Sequence, residues 1–282
     1  MIKYKGVSWR NYHYALIPAT PPHIEINLNE AEAKELLKIS GAYFVRWASK
    51  WDIKQKTEFW YIIKDVEENL EQYSSNKRRQ IRKGLKNCIV KKVDNTTIAN
   101  DGYEVYKSAF LSYKKNYLPL LSYEEFKKNI LNATKCDFWA VYEREGGKMI
   151  AYSQNIIDDN SVTYSTIKFH PDYLKLYSSN ALFFKMNEYY LNEKKYRYVS
   201  DGARSISHDT NIQEYLEYKF NFRKAYCKLH VVYRWDIKIV VNMLYPFRNL
   251  IYKLNNKLNN KIYHKLAVLL KQEEIRKSCA SI

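Results

Sequence analysis

The chain has 282 residues and a formal net charge of +17, from 47 Lys and Arg against 30 Asp and Glu. It contains 27 Tyr but only 7 Gly and 6 Pro, a composition that excludes disordered and fibrous proteins and fits one large or two smaller globular domains. The basic excess favours a polyanionic partner such as nucleic acid, a phosphorylated cofactor or an anionic membrane; the alternative is a lysine-rich surface that keeps the chain in solution.

The cysteine pattern predicts reduced thiols and no metal site. The four cysteines lie far apart, with no Cys-x-x-Cys pair and no His at zinc spacing from a Cys. Residues 1–18 contain no apolar run of signal-peptide length, and no stretch approaches the roughly 20 apolar residues of a membrane-spanning helix. We therefore expect a cytoplasmic protein.

The first region, residues 1–75, is predicted to be a β/α region. LNEAEAKELLKIS at 28–40 has acidic residues early and lysines late, which favours a helix because these charges oppose the helix dipole. AYFVRWA at 42–48 and EFWYIIK at 58–64 are aromatic and β-branched, as is typical of strands.

A basic helix is predicted next, over residues 77–86, with Ser74, Ser75 or Asn76 as its capping residue. Arg78, Arg82 and Lys86 are spaced four residues apart and therefore share one face. Such a row suits a phosphate backbone, as in a protein that binds tRNA; it is equally typical of a solvated helix face.

Residues 76–236 are predicted to form the main domain, with the element order β-α-α-β-β-β-α-β-α-β. Tight turns at Gly146-Gly147 and Asp159-Asn160 make three consecutive strands antiparallel neighbours, whereas the later strand-helix-strand units require parallel crossovers. The predicted fold class is therefore α/β (α+β), a mixed sheet flanked by helices. The predicted strands are 88–93, 136–145, 148–158, 161–170, 196–202 and 223–235, and the predicted helices are 102–115, 121–134, 181–194 and 211–220.

The tail, residues 237–282, is predicted to be a basic amphipathic helix that breaks near Pro246. Apolar residues recur every three or four positions from Phe247 to Leu269, and lysines recur every four from Lys253 to Lys265. An apolar stripe of this length is too large to be left exposed to water. The alternatives are packing on the domain, a homodimer, or a peripheral membrane contact with lysines at lipid phosphates.

The element order of the main domain resembles that of the GNAT acyltransferases, and two segments, NKRRQIRKGLKN at 76–87 and YRYVSDGARSI at 196–206, resemble the FemABX branch. FemABX proteins have tandem GNAT-like domains and move amino acids from aminoacyl-tRNA onto cell-wall precursors. The resemblance covers residues 40–236 and implies a GNAT-like fold, with residues 1–75 as a shortened second half.

The segment HPDYLKLYSSNALFF at 170–184 resembles the GNAT loop that binds the pyrophosphate of coenzyme A, whose pattern is Arg/Gln-x-x-Gly-x-Gly/Ala. The resemblance implies binding of acyl-CoA, with acetyl-CoA as the co-substrate, at the start of a helix whose unpaired N–H groups attract phosphate. Ser178 and Asn180, which are bulkier, occupy the two positions where the pattern has Gly and Gly/Ala. The alternative is that the segment is an ordinary loop between a strand and a helix. The predicted cofactor-binding residues are Lys175, Ser178, Ser179, Asn180 and Ala181.

The resemblance also implies a catalytic residue in the last helix, where family members place a Tyr acid or a Lys. Counting back from Asn221-Phe222, that position holds Glu217. Glu217 is therefore predicted to act as a base, or Tyr218 to act as the acid after a shift of one residue. The alternative is a solvated helix residue.

Four further site residues are predicted around the strands 161–170 and 196–202, since open α/β sheets bind ligands beyond the carboxyl ends of their strands. Asp201 is expected to orient an acceptor amine, and His208 to relay a proton. Arg204 is expected to hold a carboxylate or phosphate of the substrate, and Tyr164 to contact substrate. Asp201-Gly202 is also a common turn dipeptide, and residues 208–210 could merely cap a helix.

Three functions follow from these patterns. The first is transfer of an acyl group, expected to be acetyl, from acyl-CoA to an amino group of a small molecule or sugar precursor. The second is a FemABX-like transferase that uses aminoacyl-tRNA and acts on a cell-wall precursor. The third is a binding protein on a GNAT fold that has lost catalysis.

Overall fold

The computed structural model describes residues 1–12, 14–113, 119–206, 211–258 and 260–280. Within these ranges the strands are β1 Ile2–Tyr4, β2 Val7–Tyr12, β3 Ala15–Pro18, β4 Phe44–Ile53, β5 Trp60–Lys64, β6 Cys88–Val93, β7 Cys136–Glu143, β8 Met149–Asp158, β9 Ser161–Phe169, β10 Tyr198–Ala203 and β11 Arg223–Tyr233. The helices are α1 Glu30–Ser40, α2 Ser75–Asn87, α3 Asn95–Asp101, α4 Tyr103–Leu111, α5 Tyr123–Leu131, α6 Ser178–Asn187, α7 Ile212–Phe220, α8 Trp235–Leu244, α9 Arg248–Lys257 and α10 Lys261–Ser278. A π-helical turn, Glu188–Glu193, follows α6.

Side-chain caps fix the starts of the helices that the sequence predicted best. The side chain of Asn29 accepts from the backbone N–H of Glu32 at the start of α1, and Ser122 accepts from that of Glu125 at the start of α5; each forms a full capping box. Ser74 caps α2. These bonds satisfy N–H groups that have no acceptor within the helix, and this explains why local sequence sets these boundaries.

The chain divides by its contacts into two compact units. Unit 1 contains Met1–Tyr61, Ala203–Asn211 and Lys224–Ile282, and unit 2 contains Ile62–Gly202 and Ile212–Arg223. The predicted regions 1–75, 76–236 and 237–282 have other boundaries, and that three-part division stays a prediction. The tail helices fall in unit 1 because Val241 of α8 and Ile275 of α10 pack with Leu229 and Val231 of β11 in one buried cluster.

Unit 1 has a sheet with the strand order β1-β2-β3-β4-β11. Its pairs are antiparallel except β3–β4, which is parallel. On one face, α1 buries Leu36 and Leu37 with Trp9 and Val45 of the sheet. The predicted break near Pro246 is present, since the turn Tyr245–Phe247 separates α8 from α9. A second break, between the end of α9 at Lys257 and the start of α10 at Lys261, was not predicted.

Unit 2 has a mixed sheet with the strand order β5-β10-β9-β8-β7-β6. The strands β6 to β9 are antiparallel neighbours, of which β7, β8 and β9 form a meander, and β10 joins β9 in parallel through the crossover helix α6. Helices α2, α6 and α7 cover one face, while α3, α4 and α5 cover the other. The predicted mixed sheet with flanking helices is confirmed.

Two details of unit 2 differ from the sequence prediction. Helix α3, capped by Asp94, was not predicted, and α4 ends at Leu111, so the predicted helix 102–115 is too long at its carboxyl end; residues 114 and 115 lie outside the described residues. Helix α6 begins at Ser178 rather than at residue 181, because Tyr177 takes up a left-handed backbone conformation with φ of 60° and ends the preceding turn.

Candidate active site

The strands β9 and β10 pair over only three residues and then separate. Tyr198, Val199 and Ser200 pair with Ser161, Val162 and Thr163 in parallel register. Beyond this point β9 continues to Phe169 and β10 to Ala203, and no further β9–β10 pair is present over these described residues. An opening of this kind between parallel strands exposes backbone polar groups at the carboxyl edge of a sheet, where open α/β folds bind ligands.

A β-bulge lies in β9 at the same place. Asn155 of β8 pairs with Tyr164 and Gln154 pairs with Thr166, so Ser165 is an extra residue without a partner in β8. Its hydroxyl donates to the carbonyl of Gln154 across 2.8 Å. Bulges redirect backbone groups and are frequent beside active sites. The bulge therefore marks the opening between β9 and β10 as the candidate site.

Asp201 directly follows Ser200, the last residue of β10 that pairs with β9. Its carboxyl group is largely buried, and this burial raises its pKa to about 7, although a hydrogen bond with Gln213 of α7 opposes the shift. The following residue, Gly202, has a φ of 87°, which a glycine adopts without strain. Asp201 is therefore a carboxyl group that changes its charge near neutral pH at the mouth of the opening.

Helix α7 also contributes Tyr215, which the sequence analysis missed. The Tyr215 hydroxyl lies 3.1 Å from Oγ of Ser179 in the first turn of α6. Burial raises the pKa of Tyr215, while the hydrogen bond with Ser179 opposes that shift, so the phenol stays protonated at neutral pH. One turn of α7 thus contacts both the end of β10, through Gln213, and the start of α6, through Tyr215.

Lys77 of α2 is a second residue that the sequence analysis missed. Its Nζ donates to Oδ1 of Asn180 and lies 3.7 Å from the centroid of the Phe220 ring. Burial lowers the pKa of Lys77 to about 7, and the charge of Lys219 lowers it further, against an opposing effect of Glu68. The sequence does contain a signal for this position: Lys77 lies four and seven residues before Ile81 and Gly84, a spacing that places all three on the same, inward face of α2.

The residues predicted to bind a pyrophosphate are mostly covered. Ser178 is only 1% exposed, Asn180 is buried under Lys77, and Ala181 is fully buried. Helix α2 lies against this turn: a Cβ on Gly84 would stand 2.5 Å from the carbonyl oxygen of Tyr177. Of the predicted set, Ser179 is half-buried and Lys175 is exposed, so only these two side chains remain within reach of a ligand from solvent.

The other predicted site residues lie in varied surroundings. Tyr164 is buried in the core and its hydroxyl donates to Oδ1 of Asn187 across 2.7 Å, a placement that does not favour contact with substrate. Glu217 is half-buried on α7, whereas Tyr218 is 80% exposed with Nζ of Lys219 over its ring. Its exposure gives Tyr218 no enclosed site in which to act as an acid.

Arg204 belongs to unit 1 and is already engaged there. Its Nη1 donates to the carbonyl oxygen and to Oε2 of Glu58, each across 2.6 Å, and the guanidinium stacks over the Trp60 ring. These contacts do not favour the predicted role in holding a substrate anion. His208, the predicted proton relay, lies outside the described residues. Within the described part of the chain, no group of three or more His, Cys, Asp or Glu side chains is placed to hold a metal ion.

Two of the three residues on α2 that were predicted to bind nucleic acid are exposed to solvent. Arg82 and Lys86 are exposed, while Arg78 is half-buried and forms an ion pair with Glu71 across 3.2 Å. Arg79 and Lys83 are exposed on the same helix. The outer face of α2 is therefore basic, and its inner face is the one that packs on the start of α6.

Unit 1 contains a separate cavity of about 420 Å³ beside β11. Trp47 stacks on His230 with ring centroids 4.8 Å apart, and Oγ of Ser49 lies 2.6 Å from Nε2 of that ring. Burial lowers the pKa of His230 to about 4, with a smaller effect of the Lys228 charge. The imidazole is therefore neutral near pH 7 and a weak base, as suits a packing role.

The fold is similar to that of FemX, whose crystal structure matches with a TM-score of 0.54 over 72% of this chain and 75% of that chain, at 10% identity. A C-terminal domain described as that of a lysylphosphatidylglycerol synthetase from Agrobacterium fabrum matches with a TM-score of 0.49 over 84% and 83% of the two chains, at 12% identity. L-PGS from Bacillus licheniformis matches with a TM-score of 0.48 over 84% and 83%, at 13% identity. The TM-scores of these last two matches are below 0.5.

No model of a known protein family matches the sequence, and neither does any curated protein. The likeness to FemX at 10% identity establishes the fold, and the resemblance to GNAT and FemABX folds is thereby confirmed. It does not establish an activity, because one fold supports many functions.

Proposed function

We propose, from the fold that the chain shares with FemX, that it is an acyltransferase that moves an acyl group from an activated thioester or ester to an amino group. One observation carries the proposal: β9 and β10 open at the bulge of Ser165, and Asp201, with a pKa near 7, stands at that opening. A carboxylate of this basicity suits the removal of a proton from an ammonium group at neutral pH.

In the proposed reaction, Asp201 takes a proton from the acceptor ammonium. The neutral nitrogen then attacks the acyl carbon, and a C–N bond forms. The C–S or C–O bond to the donor breaks, and the leaving group takes its proton from the Tyr215 phenol, which burial keeps protonated. The nitrogen then gives its remaining extra proton to the Tyr215 phenolate, which leaves a neutral amide and restores the phenol. Backbone N–H groups freed by the opening of β9 would stabilise the carbonyl oxygen as it becomes negative.

The donor that we propose first is an acyl-CoA, with acetyl as the transferred group. The N–H groups of Asn180 and Ala181 already bond to the carbonyl of Tyr177, so the N–H groups of Ser178 and Ser179 are the ones at the start of α6 that could meet a phosphate. The start of a helix carries a partial positive charge, which favours such an anion. Ser179 and Lys175 are the two predicted side chains that a phosphate can reach, because Ser178, Asn180 and Ala181 are buried. The acceptor is then a small molecule or sugar precursor with an amino group.

A second donor, aminoacyl-tRNA, is favoured by the position of α2. Its inner face packs on the start of α6 through Gly84, and its outer face exposes Arg79, Arg82, Lys83 and Lys86. A basic helix beside the donor end of the site suits the phosphate backbone of a tRNA. The acceptor would then be a cell-wall precursor, as the FemABX resemblance implies.

The test offers both donors to the full-length protein. Release of free thiol from acetyl-CoA is followed over a panel of amines, and loss of the aminoacyl ester is followed with charged tRNA. We expect turnover with one donor, at least a hundredfold slower in Asp201→Asn, since a positioned base contributes about 10²–10⁴ in rate. Asp101→Asn, at the exposed end of α3, is the control and keeps full activity. Binding of a donor without turnover, or equal rates in both variants, contradicts the proposal and favours a binding protein.

A further inference from the structure

The helices α8 and α9 expose an apolar stripe that no part of the described chain covers. The stripe consists of Trp235, Ile239, Met243, Phe247 and Leu250, which are 75%, 51%, 66%, 60% and 56% exposed. Trp235, Ile239 and Met243 are four residues apart in α8 and share one side of that helix. Both helices are nevertheless packed on the protein, because Val241 of α8 and Ile251 of α9 are buried on their inner sides.

The segment that carries this stripe is strongly basic. No Asp or Glu occurs between Asp236 and Glu273, whereas seven Lys and Arg do. Five of these lysines are exposed: Lys238, Lys253, Lys257, Lys261 and Lys265. Two more apolar side chains, Leu258 and Ile262, are 41% and 67% exposed among these lysines. Exposed apolar and cationic side chains are thus interleaved over one segment.

We propose that α8, α9 and the start of α10 dock on the surface of an anionic lipid bilayer. The apolar stripe would enter the boundary between headgroups and acyl chains, and the lysines would meet lipid phosphates. Trp235 fits the headgroup level, where amphipathic aromatic rings concentrate. No helix among the described residues is long and apolar enough to cross a bilayer.

The charge pattern selects a membrane over a second copy of the chain. A twofold interface across the stripe would bring the lysines of two copies together, and the one carboxylate between Trp235 and Lys265, that of Asp236, is already paired with Arg234. A bilayer that contains anionic lipid presents the complementary charge along the whole segment. This inference is independent of the proposed transfer reaction, because every residue in it lies outside the opening between β9 and β10.

The experiment measures co-sedimentation of the full chain with vesicles of phosphatidylcholine, with and without about one third phosphatidylglycerol. We expect binding to the anionic vesicles only. The variant Trp235→Gln/Met243→Gln/Phe247→Gln should bind at least about tenfold more weakly. The variant Lys253→Gln/Lys257→Gln/Lys261→Gln should bind on the order of a hundredfold more weakly at low salt, since each basic residue near an anionic surface contributes about a factor of five.

The matched control removes three exposed apolar side chains elsewhere, in Ile39→Gln/Val66→Gln/Leu111→Gln, and should bind as the wild type does. Brominated lipid should quench wild-type fluorescence more than that of Trp235→Phe, which isolates Trp235 among the six Trp. Absence of binding to anionic vesicles overturns the proposal. Light scattering that shows a dimer, converted to a monomer by the apolar variant, also overturns it and identifies the stripe as a subunit interface.

Discussion

Replacing Lys77 with methionine tests whether a buried amine beside the start of α6 is neutral at physiological pH. Nζ of Lys77 lies over the Phe220 ring and donates to Asn180, and burial lowers its pKa to about 7. Methionine keeps most of the apolar stem but has no titrating group. The variant should therefore differ from the wild type chiefly in how its stability depends on pH.

The sign follows from the protons bound in each state. In the unfolded chain a lysine titrates near 10.4, so between about pH 7 and pH 10.4 the unfolded state binds more protons than the folded state. The free energy of unfolding of the wild type therefore rises with pH across this window. Below pH 7 both states are protonated, and the folded state carries the whole cost of a buried ammonium.

The displacement of the pKa from 10.5 to about 7 sets the upper limit of this effect at about 5 kcal/mol, since one pH unit corresponds to about 1.4 kcal/mol. Local relaxation and water entry reduce the cost of a buried charge. We therefore expect the stability of the wild type, relative to Lys77→Met, to rise by about 2 kcal/mol between pH 6.5 and pH 9.5.

Urea unfolding at several pH values measures this difference, with circular dichroism and fluorescence compared as a check on two-state behaviour. Lys86→Met, on the exposed side of the same helix, is the control and should keep the pH dependence of the wild type. An unchanged pH dependence in Lys77→Met would refute the reasoning, because it would mean that the amine is charged and solvated in the folded state.

Three further predictions use the same kind of measurement. Transfer activity should rise with pH through about 7, as Asp201 loses its proton, and this step should vanish from the pH–rate profile of Asp201→Asn; a step that persists assigns the base elsewhere. Gly84→Ala should destabilise the protein by about 1–2 kcal/mol in urea unfolding, because its Cβ would meet the Tyr177 carbonyl at 2.5 Å, and unchanged stability would show that α2 moves away freely. Lys64→Met should lower the free energy of unfolding by about 3–5 kcal/mol, because it leaves the fully buried Glu68 carboxylate without its cation. Adding Glu68→Gln should recover part of that loss. A double variant less stable than Lys64→Met alone would contradict this account.

The elements that could be predicted are those whose signals are local. The capping residues Asn29, Ser74 and Ser122 each bond to a backbone N–H three residues ahead, so the sequence itself contains both partners. The meander β7–β8–β9 was predicted because its turns are short and use Gly147 and Asp159 at positive φ. In contrast, α3 was missed, since a seven-residue helix has too few apolar positions to show a period.

The candidate site could be predicted only in part, because its contacts join residues far apart in the chain. Asp201 was predicted from its place at a strand end, but its pKa depends on burial that the sequence does not display. Tyr215 was missed in favour of Glu217 and Tyr218, since counting along α7 cannot show which side of that helix faces Ser179. The predicted role of Arg204 did not anticipate its bonds to Glu58, which lies 146 residues earlier.

The loop before α6 shows how a departure from a motif can be compensated elsewhere. Ser178 and Asn180 occupy the positions where the GNAT pattern has Gly or a small residue, so this loop does not offer the close backbone approach that glycines give a pyrophosphate. Helix α2 instead comes close to the backbone of this loop, because Gly84 has no Cβ to clash with the Tyr177 carbonyl. Lys77 of the same helix donates a hydrogen bond to Asn180. In the proposed reaction a donor would therefore meet α6 beside Ser179, on the side that contacts Tyr215 of α7, with the basic outer face of α2 next to it.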